Sequence, residues 1–234
     1  MTNGSAKTFK LIPALDVLDL AVVEGIARAV GNNPMVYGFK VGFSTGLTHG
    51  LGLVVKTIRK HSNHPIIYDH QKAATDIPDT GRLFAKTLRQ AGIDEAILFP
   101  QAGPVTLKAW IEALNEEKIK IIVGGLMTHK AYVCSEGGFI EDQAVETIYR
   151  TALELGVNAF VVPLTKPEAV DRIMQAVPFN ANTEFYSPGY GRQGGDPSLF
   201  ASIKRHYLIA GRALLEAENP ATWIADAAGQ LRSL

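Results

Sequence analysis

Five charged residues in the first third of the chain stand where charges are costly. Asp16 closes the apolar run Leu11-Ile12-Pro13-Ala14-Leu15, Lys40 sits inside Tyr37-Gly38-Phe39-Lys40-Val41-Gly42, and Asp69 ends Ile66-Ile67-Tyr68-Asp69. Lys72 follows three positions later, and Asp76 comes four after that, just before Ile77-Pro78. Taking an ion out of water costs several kcal/mol as a rough expectation, so such residues persist only when paired. Carboxylates alternating with ammonium groups meet that condition. The same alternation suits proton transfer and the stabilisation of negative charge that develops during a reaction. An inert ion-pair network closing one end of the fold is the plainer alternative, and spacing alone leaves both open.

A second constellation lies late in the chain. Ser187-Pro188-Gly189-Tyr190-Gly191-Arg192-Gln193-Gly194-Gly195-Asp196 is followed by Ala210-Gly211-Arg212. Glycines let backbone N–H groups approach an anion closely, and an arginine adds a permanently charged, bidentate contact. Two such segments after consecutive strands, one carrying Arg212, favour a phosphate site over an ordinary surface loop. The six histidines, His49, His61, His64, His70, His129 and His206, show no metal-ligand spacing. The lone Cys134 has no His–Asp pattern nearby to make it a nucleophile.

Composition narrows the setting in which these residues act. Lys+Arg and Asp+Glu both number 23, so the formal charge is zero and no basic face invites nucleic acid. One cysteine cannot form an internal disulfide, which suits a reducing compartment. The polar first ten residues lack a signal peptide's apolar stretch, and no apolar run reaches the roughly 20 residues that span a bilayer. The expectation is a cytoplasmic protein that binds neither nucleic acid nor membrane.

The elements that must position the charges recur with a regular beat. Short apolar runs at 11–16, 35–42, 65–69, 95–99, 120–125, 159–163, 183–186 and 207–210 read as strands. They are rich in Val, Ile and Leu and do not alternate, as in parallel strands covered on both faces. Helical patterns at 19–30, 47–61, 78–91, 104–115, 141–155, 167–177 and 219–231 separate them, with Pro78, Pro104 and Pro167 near helix starts. An α/β fold with eight strands predicts a single (β/α)8 TIM barrel over 1–234, with about the first eight residues as a flexible tail. An open doubly wound sheet would carry glycines in its first strand-to-helix turn, but that turn reads Asp16-Val17-Leu18-Asp19. In a barrel the strand ends form the catalytic rim, so Asp16, Lys40 and Asp69 converge from adjacent strands.

Taken together, these residues resemble the orotidine 5'-phosphate decarboxylase family along nearly the whole chain. The likeness rests on Ala14-Leu15-Asp16, Lys40-Val41-Gly42, Asp69…Lys72…Asp76-Ile77-Pro78-Asp79-Thr80, Ser135-Glu136-Gly137-Gly138, Pro188-Gly189…Gln193-Gly194-Gly195-Asp196 and Gly211-Arg212. The resemblance implies metal- and cofactor-independent loss of CO2 from orotidine 5'-phosphate, giving uridine 5'-phosphate in the last step of pyrimidine biosynthesis. It implies that Asp16 and Lys40 hold the ribose, that Asp69 lies beside the substrate carboxylate, and that Lys72 delivers the proton. It implies a homodimer in which Asp76, Ile77 and Thr80 act in the neighbouring subunit's site. Ser135 would contact the base, with Thr128 as the runner-up, and Gln193, Gly211 and Arg212 would grip the phosphate. The 189–196 loop would be the element that closes.

The chain departs from the family's Asp-x-Lys-x-x-Asp motif by two extra residues, so His70 rather than Asp69 stands two positions before Lys72. Two other readings compete with the decarboxylase. One is a Mg2+-dependent sugar-phosphate aldolase or decarboxylase of the hexulose-phosphate synthase type, against which Lys40 argues by standing where that type has a carboxylate. The other is a non-catalytic barrel that only binds a phosphate ligand.

Overall fold

The computed structural model describes residues 7–70 and 74–234. Along the chain run β1 (Thr8–Pro13), α1 (Leu20–Val30), β2 (Phe39–Gly42), α2 (Phe43–His49), α3 (Leu51–Arg59), β3 (Ile66–Asp69), α4 (Thr80–Ala91) and β4 (Glu95–Leu98). They continue with α5 (Pro104–Glu116), β5 (Lys120–Gly124), α6 (Asp142–Glu154), β6 (Ala159–Val161), α7 (Pro167–Ala176), β7 (Glu184–Pro188), β8 (Arg205–Ala210), α8 (Arg212–Leu215) and α9 (Pro220–Arg232). The expected tail lies outside the described residues except for Lys7 and Thr8, and Thr8 already pairs with Arg205 in β1.

The eight strands form one parallel sheet in the order β1-β8-β7-β6-β5-β4-β3-β2. Parallel bridges from Leu11 to Val36 and from Ala14 to Lys40 bring β1 back to β2, helped by the Leu15 N–H donating to the Lys40 carbonyl at 2.7 Å. The sheet thereby curls into a (β/α)8 barrel. Alternate strand residues point inward, and Ile12, Ile67, Ile97, Ile122, Val161 and Ile209 fill the interior. Their outward neighbours, such as Leu11, Tyr68, Val123 and Leu208, pack against the helices in a second apolar layer. Each helix supplies its own stripe. In α1, Val23, Ile26, Ala27 and Val30 recur at helical spacing and are buried, while the Asp19 carboxylate caps the first turn at the Ala21 N–H, 2.8 Å away. No helix among the described residues is long and apolar enough to cross a membrane.

Where the elements differ from expectation, the backbone explains it. The helix expected at 47–61 breaks at Gly50, whose φ of 77° no helix accommodates, and becomes α2 and α3. The strand expected at 35–42 regularises only from Phe39, and ahead of it Val36 meets Leu11 in an isolated parallel bridge.

Candidate active site

Register explains how the first two charges meet. Lys40 pairs laterally with Ile67, and Gly42 with Asp69. Ile67 faces the barrel interior, so Lys40 beside it and Asp69 two residues further up β3 share that inward face. Asp16 arrives from the β1–α1 turn. Its approach needs Gly42, because a Cβ there would stand 2.1 Å from the Asp16 Oδ1. Thr45, fully buried in α2, fixes the same turn: its Oγ1 accepts from the Val17 N–H at 3.1 Å and donates to the Leu15 carbonyl at 2.5 Å. No signal in the sequence reading had pointed to Thr45.

The Lys40 ammonium therefore lies 2.8 Å from Asp16 and 3.0 Å from Asp69. The two carboxylates are unlike, since the Asp69 side chain is 5% exposed and that of Asp16 is 44%. Burial by itself would lower the Lys40 pKa, but the flanking carboxylates of Asp69 and Asp16 outweigh it and hold the ammonium above its ordinary range. Lys40 is thus a fixed positive charge at any physiological pH.

This group forms one wall of a cavity of about 250 Å³ at the C-terminal end of the strands. Phe99 and Val161 supply apolar walls, and Thr128 lines the side nearest β5. Gly124 makes room for Phe99, because a Cβ there would meet its ring at 2.2 Å. The rim of the same cavity carries Gln193, Gly211 and Arg212 together with Arg192. The 189–196 loop is a tight excursion tied by a Tyr190–Gly195 bridge and by the Gly195 N–H on the Gly189 carbonyl at 3.1 Å. Gly189, with φ of 111°, starts the turn.

Of the sequence-predicted residues, Asp16, Lys40, Asp69, Gln193, Gly211 and Arg212 come together around this cavity. Lys72 lies outside the described residues. Asp69 faces Lys40, whereas His70 turns away: its Nδ1 bonds the Tyr68 hydroxyl at 2.7 Å, and it lines a separate shallow cavity with Asp76 and Thr80. The turn after β3 is braced, since the Trp110 indole N–H and the Thr80 hydroxyl both donate to the Ile77 carbonyl, at 3.1 and 2.8 Å. The Ile77 side chain is left exposed.

Ser135 is not brought to the main cavity. It sits on an exposed 3-10 turn, Cys134–Glu136, where its hydroxyl bonds the carboxylate of Asp142, the first residue of α6. The glycines after it serve that turn: Gly137 has φ of 85°, and a Cβ on Gly138 would meet the Tyr132 carbonyl at 2.2 Å. Among the described residues no three His, Cys, Asp or Glu side chains stand together as a metal-ligand set.

An ammonium locked between carboxylates, sharing one cavity with arginine and glycine-rich loops at a barrel mouth, defines a (β/α)8 enzyme for a phosphorylated ligand. The sequence matches the family model "Orotidine 5'-phosphate decarboxylase / HUMPS family" over residues 10–227, and the chain belongs to that family. It is 32% identical to the orotidine 5'-phosphate decarboxylase of Methanosarcina acetivorans, covering 90% of this chain and 89% of the relative. The corresponding protein of Pyrococcus furiosus is 31% identical over 90% of this chain and 92% of its own length. Among solved structures, the orotidine 5'-monophosphate decarboxylase of Methanocaldococcus jannaschii complexed with the inhibitor BMP superposes with a TM-score of 0.79. Its identity is 28%, over 93% of this chain and 96% of that one. The Pyrococcus horikoshii enzyme gives a TM-score of 0.78 at 26% identity, over 96% of this chain and 100% of that one.

Proposed function

We propose that this chain decarboxylates orotidine 5'-phosphate to uridine 5'-phosphate, the last step of de novo pyrimidine biosynthesis, with neither metal nor organic cofactor. The observation that carries the reading is the Asp16–Lys40–Asp69 charge cluster, with Lys40 and Asp69 buried, sharing one cavity with Gln193, Gly211 and Arg212. Family membership supports it. The Lys40 ammonium takes the place a metal ion would need between two carboxylates, which supports a metal-free site.

In this mechanism Arg212, Gln193 and the Gly211 backbone hold the phosphate, and Asp16 and Lys40 hold the ribose. Asp69 faces the substrate carboxylate, and their repulsion is relieved as CO2 departs. The bond to CO2 breaks, its electron pair stays on the pyrimidine carbon, and the Lys72 ammonium supplies the proton that fills that position. Attraction between this ammonium and the developing carbanion grows towards the transition state, so it accelerates the step and does more than bind substrate. Phosphate contacts remote from the chemistry supply energy for closing the 189–196 loop and excluding water. Thr128, on the cavity wall, takes the base contact in place of Ser135.

The working form in this reading is a cytoplasmic homodimer. Asp76, Ile77 and Thr80 serve the partner's site, which accounts for the exposed Ile77 side chain and for the exposed Leu83 that lines the second cavity with Asp76 and Thr80. A spectrophotometric assay with orotidine 5'-phosphate and excess EDTA tests the proposal. Turnover that survives EDTA and falls by at least about 10³-fold in Lys72→Ala is the expected result. A well-folded wild type without turnover would sink it.

A further inference from the structure

One guanidinium at the cavity rim has no part in the mechanism above. Arg192 lies on the 189–196 loop and lines the cavity together with Arg212 and Gln193, yet its guanidinium is ion-paired with Glu216, the residue that ends α8. Gly191 and Ala213 set this arrangement. The loop backbone packs so closely on α8 that a Cβ on Gly191 would stand 2.9 Å from the Ala213 Cβ. The Tyr190 ring meets Trp223 of α9 edge-on, with centroids 6.1 Å apart, and holds the base of the loop. Arg192 is therefore delivered to one place, between an acidic partner on the outside and the cavity on the inside.

We infer that Arg192 is a second arginine for the ligand's phosphate, and that Glu216 competes with the phosphate for it. The competition is unequal. Side chains of Arg192 and Glu216 are 56% and 57% exposed, so water and salt screen their attraction and it is cheaply broken. A phosphate monoester carries up to two negative charges and three acceptor oxygens, and a guanidinium meets it through two parallel hydrogen bonds. The ion pair with Glu216 neutralises Arg192. When the dianion arrives beside Arg212, Arg192 exchanges one partner for a better one without the loop root having to move. A ligand lacking the phosphate offers no such exchange, so the pair discriminates for phosphorylated ligands. This inference rests on the nucleotide site proposed above.

Calorimetric titration of the full chain with uridine 5'-phosphate, uridine and inorganic phosphate tests it, using wild type, Arg192→Gln, Glu216→Gln and the double variant. Arg192→Gln is expected to weaken uridine 5'-phosphate binding by about tenfold, and Glu216→Gln to tighten it by about threefold. The double variant should behave as Arg192→Gln, and uridine binding should not move. Opposite signs are the diagnostic, because a simple strap between loop and helix would weaken binding whichever partner is removed. Weakening by Glu216→Gln, or no change in Arg192→Gln, overturns the inference. Thermal melts that coincide with wild type exclude misfolding as the cause of any shift. A wild type that binds inorganic phosphate but not the nucleotide would refute the nucleotide reading while the phosphate titrations still decide Arg192 and Glu216. Binding of neither overturns both.

Discussion

The two ends of the barrel are built from similar charged groups and put them to opposite uses. At the lower end, where the strands begin, Glu95, Lys120 and Glu184 meet the rings of Tyr37, Tyr186 and Tyr207. Tyr37 donates to Glu95 at 2.5 Å, Lys120 donates to the Tyr37 and Tyr186 hydroxyls at 2.8 and 2.9 Å, and Tyr207 donates to Glu184 at 3.1 Å. Lys120 also pairs directly with Glu184. Burial, reinforced by the neighbouring carboxylates, drives the pKa values of Tyr37 and Tyr186 up, so both stay protonated donors. Tyr37 stacks on Tyr207 with centroids 4.3 Å apart, so rings pack the barrel interior beside this network, and Lys120 and Glu184 line a separate cavity with Asn115, Asn158 and Arg205. At the mouth no tyrosine intervenes between Asp16, Lys40 and Asp69, and an open cavity adjoins them. A buried charge cluster is therefore no site in itself. What sets the mouth apart among the described residues is that carboxylates alone hold Lys40, whereas tyrosine hydroxyls share Lys120 at the lower end.

The largest way to break this comparison is at the mouth. Lys40→Met leaves two carboxylates without the cation between them, and decarboxylation should fall on the order of 10²–10³-fold in kcat/KM. Retained activity would reduce the cluster to scaffolding. The counterpart is Lys120→Met, which strands the buried Glu95 and leaves Glu184 with Arg205 as its cation. It should cost roughly 3 kcal/mol of stability, or about 6–12 °C in Tm, with kcat/KM of the folded protein unchanged. Equal damage to activity in both variants would erase the distinction between the ends.

A third test concerns the wall between β7, β8 and the neighbouring loops. His206 is fully buried between Phe9 and Phe200, its Nε2 bonded to Ser187 at 2.7 Å and its Nδ1 without a partner. Burial pushes its pKa down to about 3, with Lys7 adding to the shift. The unfolded chain binds a proton near pH 6.5 where the folded chain does not. Stability from this group is thus complete above about pH 6.5 and declines at up to roughly 1.4 kcal/mol per unit as pH falls towards 3. Melts of wild type against His206→Phe should show the slope reduced in the variant; parallel curves would remove His206 as its source. The smallest effect separates two hydroxyls. Thr128→Val should raise KM by about fivefold through a lost hydrogen bond, whereas Ser135→Ala should leave it within about twofold.

Legibility in the sequence followed the same division. The mouth was readable because its charges interrupt apolar runs at strand ends, and because glycines and an arginine follow the last two strands. The lower network was not, since Glu95 and Lys120 merely begin strands, and a charge at a strand's first residue looks like an ordinary solvated end. The Ser135 segment is ambiguous for a related reason: Ser-Glu-Gly-Gly reads as a ligand loop, and its glycines also answer the needs of a 3-10 turn. Thr45 and the four-residue α8 carry too little pattern to be seen before the chain is folded. Spacing left Asp69 and His70 open, whereas the pleat puts Asp69 on the inward face with Lys40.

The pairing of β1 with β8 sets a schedule for the protein's own synthesis. Thr8 to Pro13 find their neighbours in Arg205 to Ala210, 197 residues later. At a ribosomal pace of about 5–20 residues per second, the first strand waits roughly 10–40 s with one edge unpaired. Asp16 and Arg212 belong to the same cavity, so the nascent chain has no complete pocket through that interval. Anything that shields a bare strand edge during those seconds acts on the yield of enzyme before the first substrate molecule can bind.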